Sequence, residues 1–352
     1  MKLSVKPLLW PLLLIGVTLL MLVLAIRFSG TASIGQAFEE FWRGAFGMPR
    51  GLAATAAHSA ILAFYALGIA LSFRAGIVNI GAEGQSRLGA IVAAALGTGA
   101  IGASLSSVSL PGILLILLTG AIVGAAWSLL AGALRYWRGV PEVISTLMLN
   151  LIALLLAKYL LSSQRLLRGA TIEPHSDPIV ESLQLPGWGM TEFHAGIFLV
   201  LPAVLLCHVY LFHTRGGFSV RAVGLNSVAA ETCGIRATST GLFTFAIAGA
   251  LAGLAGAMGT LARGRLDSGP NYPDYGFTAI AVALVSDLKP LWILPSAILF
   301  AGLEVGTRGM KNNADVPNEV VYLIEGLIII AVLIRKRAGT FEVSTTAAEA
   351  AE

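Results

Sequence analysis

A stretch of hydrogen-bonding residues separates two strongly apolar segments of this chain, over Phe73–Gln85 (FRAGIVNIGAEGQ). Asn79, Glu83 and Gln85 need hydrogen-bond partners that lipid cannot supply. Glycines such as Gly81 loosen a helix and let backbones approach closely. The composition therefore predicts a broken or re-entrant piece, buried against other helices or lining a polar cavity. It is either a transport path, or a hinge beside one, or a polar loop at a helix end.

A second set of polar side chains belongs to a predicted helix over Val143–Leu161. The set consists of Glu142, Ser145, Thr146 and Asn150. Their spacing is i, i+3, i+4 and i+8, so all four side chains project from one helix face. In lipid such a face must turn inward, where it either lines a pathway or joins helices by hydrogen bonds. The candidate pathway residues of both segments are Asn79, Gly81, Glu83, Gln85, Glu142, Ser145, Thr146 and Asn150.

The basic segment Arg215–Arg236 mixes polar residues with small apolar ones. Its pattern predicts short helical pieces at Val220–Val223 and Val228–Cys233. Such pieces favour a coupling helix that docks into a groove on a cytoplasmic partner, and the alternative is an ordinary surface loop. The candidate coupling residues, within a coupling loop over 214–240, are Arg221, Gly224, Asn226, Ala229, Ala230 and Gly234.

Two carboxylates, Glu304 and Glu325, lie within apolar runs. Such groups would serve a proton- or sodium-coupled carrier, or they lie hydrated near the membrane interface. The chain has no Walker A, HExxH or GxSxG motif, and its cysteines and histidines lack disulfide or metal-ligand spacing. We therefore expect a chain that is not an enzyme, binds no metal or cofactor, and cannot hydrolyse ATP itself.

The composition is that of a membrane protein. Of the 352 residues, 56% are hydrophobic and 12% are charged, whereas soluble domains carry about 25% charged residues. The mean hydropathy is +0.82. We predict an all-α polytopic fold with one transmembrane domain over 1–340 and a disordered tail over 341–352. Basic residues are spread singly along loops, so membrane lipid rather than nucleic acid is the expected partner.

Apolar runs of about 20 residues predict about ten spans. The piece Phe277–Val285 is too short to cross alone, so it either extends into its flanks or is re-entrant. The predicted spans are Leu8–Phe28, Leu52–Phe73, Ser86–Leu105, Ile113–Leu134, Val143–Leu161, Ala195–His213, Gly241–Ala262, Phe277–Val285, Leu291–Thr307 and Val320–Ile334.

The basic residues orient these spans. With the N-terminus inside, most arginines and lysines fall in inside loops, so both termini are predicted to be cytoplasmic. A second interrupted region, Arg263–Gly276, follows the seventh span much as the first follows the second span. Matching breaks predict a central pathway and an inverted repeat that pairs spans two to five with spans seven to ten.

Four segments resemble the permease subunits of ATP-binding-cassette (ABC) importers in the branched-chain amino acid and simple-sugar family. They are FRAGIVNIGAEGQ at 73–85, GVPEVISTLMLNLIA at 139–153, GFSVRAVGLNSVAAETCGIRA at 217–237 and GFTAIAVALVSDLKP at 276–290. Three differences stand out: Pro141 lies where asparagine is common, Thr278 and Ala279 replace a more usual pattern, and Ser286-Asp287 lie where glycine is frequent. The NIGAEGQ and STLMLN versions look most like the nucleoside and simple-sugar branch.

The resemblance implies a permease that forms the translocation pathway for a nucleoside (purine or guanosine) or a simple sugar (ribose- or galactose-like). It implies three partners: a cytoplasmic ABC ATPase that uses the ATP, a second permease, identical or related, and an extracytoplasmic solute-binding protein. It also implies the bacterial plasma (inner) membrane as the location. The alternative is an ion-coupled secondary transporter that uses intramembrane carboxylates.

Overall fold

The computed structural model describes residues 34–162, 175–187, 193–267, 275–314 and 326. Within these ranges the chain is helical and contains no strand, only two isolated bridges, as the sequence predicted. The α-helices are α1 (Ile34–Trp42), α2 (Pro49–Arg74), α3 (Ala82–Gly97), α4 (Gly99–Ser106), α5 (Ser109–Arg138), α6 (Glu142–Ser162), α7 (Val200–His213), α8 (Arg215–Leu225), α9 (Ser227–Thr232), α10 (Ala237–Arg263), α11 (Tyr275–Val285) and α12 (Pro290–Ala314).

Six helical segments of the described residues are long and apolar enough to cross a membrane. They are α2, α5, α6, α10, α12 and the segment that α7 forms with the preceding 3-10 turn Ala195–Leu199. Helix α11 is shorter, as its sequence predicted. The predicted spans Leu8–Phe28 and Val320–Ile334 lie outside the described residues, so the count of about ten stays a prediction.

The predicted third span is not one straight helix. Helices α3 and α4 meet at Thr98 with a bend of 74°, so together they form a broken span or a re-entrant loop. Thr98 has an extended backbone, and its hydroxyl donates to the carbonyl of Ala94 at 2.8 Å. Gly99 follows with a φ of +59°. The predicted Ser86–Leu105 span covers both helices but did not include the bend, because alanine and glycine composition does not reveal this turn.

Helices α3, α5 and α10 pack backbone to backbone through glycines. A Cβ atom on Gly253 of α10 would overlap the carbonyl oxygen of Gly120 on α5, and a Cβ on Gly89 of α3 would overlap the carbonyl oxygen of Gly253. Small residues are the usual means of close helix association in lipid. This contact fixes α3, the helix that follows the first break, between two spanning helices.

The segment 175–187 lies across one end of this three-helix group. The amide of Ile179 donates to the carbonyl of Gly264 at 2.7 Å, and the amide of Val180 donates to the carbonyl of Gly97 at 3.0 Å. Gly97 ends α3 and Gly264 follows α10. The chain thus ties these two helix ends together.

By its contacts the chain divides into two units, Ala56–Ile298 and the residues before and after that range. In the described part of the terminal unit, the amide of Asn313 donates to Glu40 at 2.7 Å. Glu304 pairs with Arg308 at 2.6 Å, one helical turn further along α12. Glu325 lies outside the described residues.

Candidate functional site

The predicted break lies between α2 and α3. Helix α2 ends at Arg74, and Gly76 adopts a left-handed φ of +71°. The amide of Ile77 donates to the carbonyl of Ser72 at 2.9 Å, and the amide of Gly76 donates to Phe73 at 3.1 Å. This pattern is the Schellman motif that ends many helices with glycine. The chain then runs without helical structure until α3 begins at Ala82.

Two buried amide side chains organise the break. Asn79 and Gln85 are each 1% exposed. The Oδ1 atom of Asn79 accepts from the amide of Gly81 at 2.9 Å and from Nε2 of Gln85 at 3.2 Å. The same Nε2 donates to the hydroxyl of Ser128 on α5 at 3.2 Å. Among the described residues, Oε1 of Gln85 has no hydrogen-bond partner.

Helix α6 closes the break from a second side. The side chain of Asn150 accepts from the amide of Gly84 and donates to the carbonyl of Ile80, both at 2.9 Å. Asn150 therefore satisfies backbone groups that the missing helix leaves unpaired. The polar face of α6 was predicted either to line a pathway or to join helices by hydrogen bonds. In the structure, Asn150 joins α6 to the break by hydrogen bonds.

Glu142, at the start of α6, performs a similar role at the other end of the break. Its carboxylate accepts from the amide of Val78 at 3.2 Å and forms an ion pair with Arg135 of α5. Arg135 was not predicted as a site residue. Its place in an aromatic and basic run at a helix end gave no sign of this pairing.

Ser145 and Thr146 are buried, and their hydroxyls donate to the carbonyl of Glu142 in their own helix. A Cβ on Gly81 would lie 3.2 Å from the Cβ of Thr146, so the glycine allows the break to approach α6. The structure thus brings together all the predicted pathway residues on α6 and most of those on the break. Their role in transport stays a prediction.

Glu83 faces a different helix, α11. A Cβ on Gly276 would lie 3.1 Å from the Cβ of Glu83, so the first turns of α3 and α11 touch. Beside this contact, His58 of α2 hydrogen-bonds to Tyr275 of α11, and both side chains are buried. Helix α3, which follows the first break, therefore meets α11, which follows the second predicted break; residues 268–274 of that predicted break lie outside the described residues. His58 was missed because a lone histidine in an apolar run has no distinguishing pattern.

The predicted coupling segment consists of α8 and α9 joined at Asn226. The side chain of Asn226 caps α9 by accepting from the amide of Ala229 at 3.0 Å, a common N-terminal cap. Gly234 follows with a φ of +83°, and the amide of Ile235 donates to the carbonyl of Ala230 at 3.0 Å. The first predicted piece, Val220–Val223, is too short, because α8 already begins at Arg215, directly after its cap Thr214.

Gly224 of α8 rests directly on the end of α2. A Cβ at this position would overlap the carbonyl oxygen of Arg74 and lie 3.1 Å from the carbonyl carbon of Ala75. A cleft of about 610 Å³ opens beside this contact. Its lining includes Gly76 at the break, Arg135 at the end of α5 and Asn226.

The remaining coupling candidates divide into packed and exposed residues. The guanidinium of Arg221 lies 5.3 Å from the ring centroid of Phe212 on α7, which orients α8 within the chain. Ala230 is buried beside Val223 and Ala237, whereas Ala229 is exposed. The most exposed apolar side chains of the segment were not predicted: Leu225 is 89% exposed and Val228 is 71% exposed. Two large apolar residues at the junction of a polar loop were the signal that could have identified them.

Comparison with known proteins identifies the family. Residues 51–333 match the family described as branched-chain amino acid transport system, permease component. The guanosine ABC transporter permease protein NupP of Bacillus subtilis is 32% identical over 85% of this chain and 86% of its own length. The nucleoside ABC transporter permease protein NupB of Lactococcus lactis is 30% identical, over 85% and 83%. The glucose ABC transporter permease protein TsgB13 of Haloferax volcanii is 31% identical, over 88% and 81%. The chain therefore belongs to this family of ABC transporter permeases, which are multi-pass membrane proteins and transport components rather than enzymes.

Proposed function

We propose that the chain forms the translocation pathway of an ATP-driven importer, and that a neutral, polar solute passes the break between α2 and α3. The buried amides of Asn79 and Gln85 carry this proposal. Both side chains are uncharged and buried. No described residue donates a hydrogen bond to Oε1 of Gln85, so this atom is available to accept one from a solute. A solute with hydroxyl or amino donors suits such a site better than an ion does.

The solute class that we propose is a nucleoside, with a purine nucleoside such as guanosine as the first candidate. Two of the similar permeases are named for guanosine or nucleosides. A simple sugar such as ribose or galactose is the second candidate, since the permease named for glucose has a similar identity. Ribose is part of every ribonucleoside, so one polar path could serve either class.

Uptake of radiolabelled guanosine, ribose and glucose by the strain that lacks this chain tests the solute. We expect the wild-type gene to restore guanosine uptake and the Gln85→Met variant to lower it at least about tenfold, the scale of an unpaired buried polar group. The matched control is Gln184→Met, because Gln184 donates to the carbonyl of Ile179 away from the break. Restored sugar uptake alone would select the second candidate, and equal uptake by both variants would remove Gln85 from the pathway.

We also propose that α8 and α9 dock onto the cytoplasmic ATPase that uses the ATP. The exposed side chains of Leu225 and Val228 form an apolar projection beside the cleft. An amphipathic helix presents such residues to a groove on its partner. Arg221 and Ala230 support this surface from inside the chain, and Gly224 sets its distance from α2.

Co-purification of the ATPase with the tagged chain tests this docking surface. Leu225→Asp and Val228→Asp should each reduce the recovered ATPase, because a carboxylate would have to be desolvated in an apolar groove. Neither change should lower the melting temperature of the permease, since both side chains are exposed. Val108→Asp is the control, because Val108 is an exposed residue immediately before α5, at the end of that helix far from the cleft. Full recovery of the ATPase with both variants would contradict the docking proposal.

The proposed topology has ten spans, both termini in the cytoplasm and an inverted repeat. The contacts of Gly224 and the lining of the cleft gather the end of α2, the end of α5 and the coupling segment on one side. The ends of α3 and α10 share the segment 175–187. In each half of the proposed repeat a long helix (α2 or α10) is followed by a bent or short one (α3 with α4, or α11), and this likeness supports the pairing of spans two to five with seven to ten.

The remaining parts of the proposed assembly are a second permease, identical or related, and an extracytoplasmic solute-binding protein, in the bacterial plasma membrane. ABC permeases of this family work with an ATPase and a binding protein. The ion-coupled alternative relied on Glu304 and Glu325, and Glu304 is paired with Arg308. Uptake that collapses on adding an uncoupler while ATP is maintained would support that alternative.

A further inference from the structure

Arg74 joins two parts of the molecule that lie more than two hundred residues apart in the sequence. Its Nη2 donates to the carbonyl of Asp287 at 2.9 Å, and its Nε donates to the carbonyl of Leu288 at 3.3 Å. These carbonyls belong to the turn between α11 and α12. The fork of N–H groups on arginine can hold two successive carbonyls, which the single ammonium of lysine cannot match in geometry.

The turn that Arg74 holds has an unfavourable backbone. Asp287 and Leu288 both have a φ of 54°, the left-handed region that favours glycine. The amide of Leu288 donates to the carbonyl of Ala283 at 2.9 Å, and the amide of Asp287 donates to Leu284 at 3.1 Å. These bonds form the Schellman ending of α11, with aspartate at the position usually taken by glycine. Such a turn needs support from its surroundings, and Arg74 contacts its carbonyls.

The backbone of Arg74 is also in direct contact with helix α8 of the coupling segment. Gly224 packs on the carbonyl of Arg74 with no side chain between the two backbones. Close-packed contacts of this kind transmit displacements, because no flexible group absorbs them. A shift of α8 toward α2 would therefore displace the end of α2.

We propose that Arg74 is a positioning residue that transmits movement of the coupling segment to the turn between α11 and α12. The proposal rests on the proposed function, in which the ATPase displaces α8. Arg74 ends the helix before the first break, and its side chain holds the end of the helix that follows the second break. A movement of α8 would thus reach both the end of α2 and the C-terminal end of α11.

Hydrogen exchange of the purified complex in lipid nanodiscs tests the link without using transport. Gly224→Val should push α8 away from α2 and speed exchange of the amides of residues 287–289 by at least about fivefold, the lower end of measured coupling between sites. In an Arg74→Ala background, adding Gly224→Val should produce no further change at these amides. An equal additional effect of Gly224→Val in both backgrounds, or none in either, would overturn the link.

Gly224→Ala is the milder variant if Gly224→Val does not give a monodisperse complex. Its Cβ alone would overlap the carbonyl of Arg74, so it should give a smaller change in the same direction. Exchange of the amides near Thr98, in the bend between α3 and α4, serves as the internal reference.

Transport measurements then test whether the importer uses this link. In proteoliposomes containing the whole complex, Arg74→Ala should lower solute uptake per ATP hydrolysed by at least about fivefold, while the ATPase still co-purifies. Arg74→Lys should be intermediate, since it keeps the charge but loses the fork. The control is Arg138→Ala, which removes an exposed arginine at the end of α5. If the Arg74→Ala complex imports as much solute per ATP hydrolysed as the wild type does, Arg74 has no role in transport.

A rescue experiment separates transmission from simple support of the turn. Adding Asp287→Gly and Leu288→Gly to Arg74→Ala gives residues that accept the left-handed conformation unaided. If Arg74 only stabilises the turn, this triple variant regains coupling; if Arg74 transmits movement, it stays uncoupled. Failure of the wild-type complex to hydrolyse ATP or to import solute would instead contradict the proposed function, and the exchange result would still decide the link.

Discussion

Asn150 uses both ends of its amide on the backbone of the break, and this use explains a choice of residue that hydrophobicity alone does not. A leucine of similar size would pack well in a spanning helix. It would leave the amide of Gly84 and the carbonyl of Ile80 without their present partners. The STLMLN segment thus ends in asparagine because the neighbouring helix is interrupted.

Asn150→Leu should destabilise the permease by about 1–3 kcal/mol for each backbone group left unpaired. The measurement is thermal unfolding of the purified chain in detergent, followed by uptake in cells. Thr119→Val is the control, because the hydroxyl of the half-buried Thr119 donates to carbonyls of its own helix and leaves no group of another element unpaired when it is removed. A melting temperature equal to that of the wild type would show that water or another group replaces the amide.

Asp287→Gly should have the opposite effect and stabilise the permease. The left-handed φ of Asp287 costs a residue with a Cβ about 1 kcal/mol. The ion pair that the change removes, between Asp287 and Lys289, is exposed on both sides and of little weight.

Asp287→Ala is the matched control for this change, because it also removes the ion pair but keeps the Cβ. Thermal unfolding should rank the glycine variant above the wild type and the alanine variant at or below it. If both variants unfold alike, the backbone of Asp287 carries no strain.

The helices α3, α5 and α10 pack against one another through glycines, and this packing holds α3 directly after the first break. Glycine is frequent in membrane helices that pack tightly, but composition alone assigns no glycine to a particular contact. The structure assigns Gly89, Gly120 and Gly253 to one three-way contact. Composition predicts that close helix contacts exist. Which glycines meet depends on how each helix is rotated about its axis, and a single sequence does not reveal that rotation.

Gly253→Val should prevent assembly of this group, since its Cβ would overlap the carbonyl of Gly120. Gly253→Ala should be destabilising by about 1–3 kcal/mol, the usual cost of overpacking. The yield of monodisperse protein in size-exclusion chromatography measures both. Gly35→Ala, at a helical glycine with open space around it, is the control and should give the wild-type yield.

The sequence was informative at the elements where polar residues interrupt apolar ones. The break after α2, the polar face of α6 and the helical coupling segment all lie where their patterns predicted. The 74° bend at Thr98 was missed, because one threonine and one glycine in an alanine-rich run look the same in a straight helix. The contacts of Arg74 with the carbonyls of Asp287 and Leu288 were also missed, because they join residues more than two hundred positions apart in the sequence.

At the scale of the whole molecule, the two cysteines report on orientation. Cys207 is buried and Cys233 is exposed, next to the turn at Gly234. A membrane-impermeant maleimide should therefore label the wild-type chain in inverted vesicles, where the proposed cytoplasmic face is outward, and leave it unlabelled in intact cells. Cys233→Ser should abolish the signal. Labelling in intact cells would reverse the proposed orientation and place α8 and α9 outside.

The glycine contacts of α3, α5 and α10 have a consequence for genetics. A large side chain introduced in an ordinary core can be accommodated by a second-site change that shortens its neighbour. At Gly253 the neighbours are backbone atoms of Gly120 and Gly124, which have nothing left to remove. Selections for revertants of Gly253→Val should yield changes at codon 253 itself, to glycine or to the smaller alanine, and no intragenic suppressor on the facing helices.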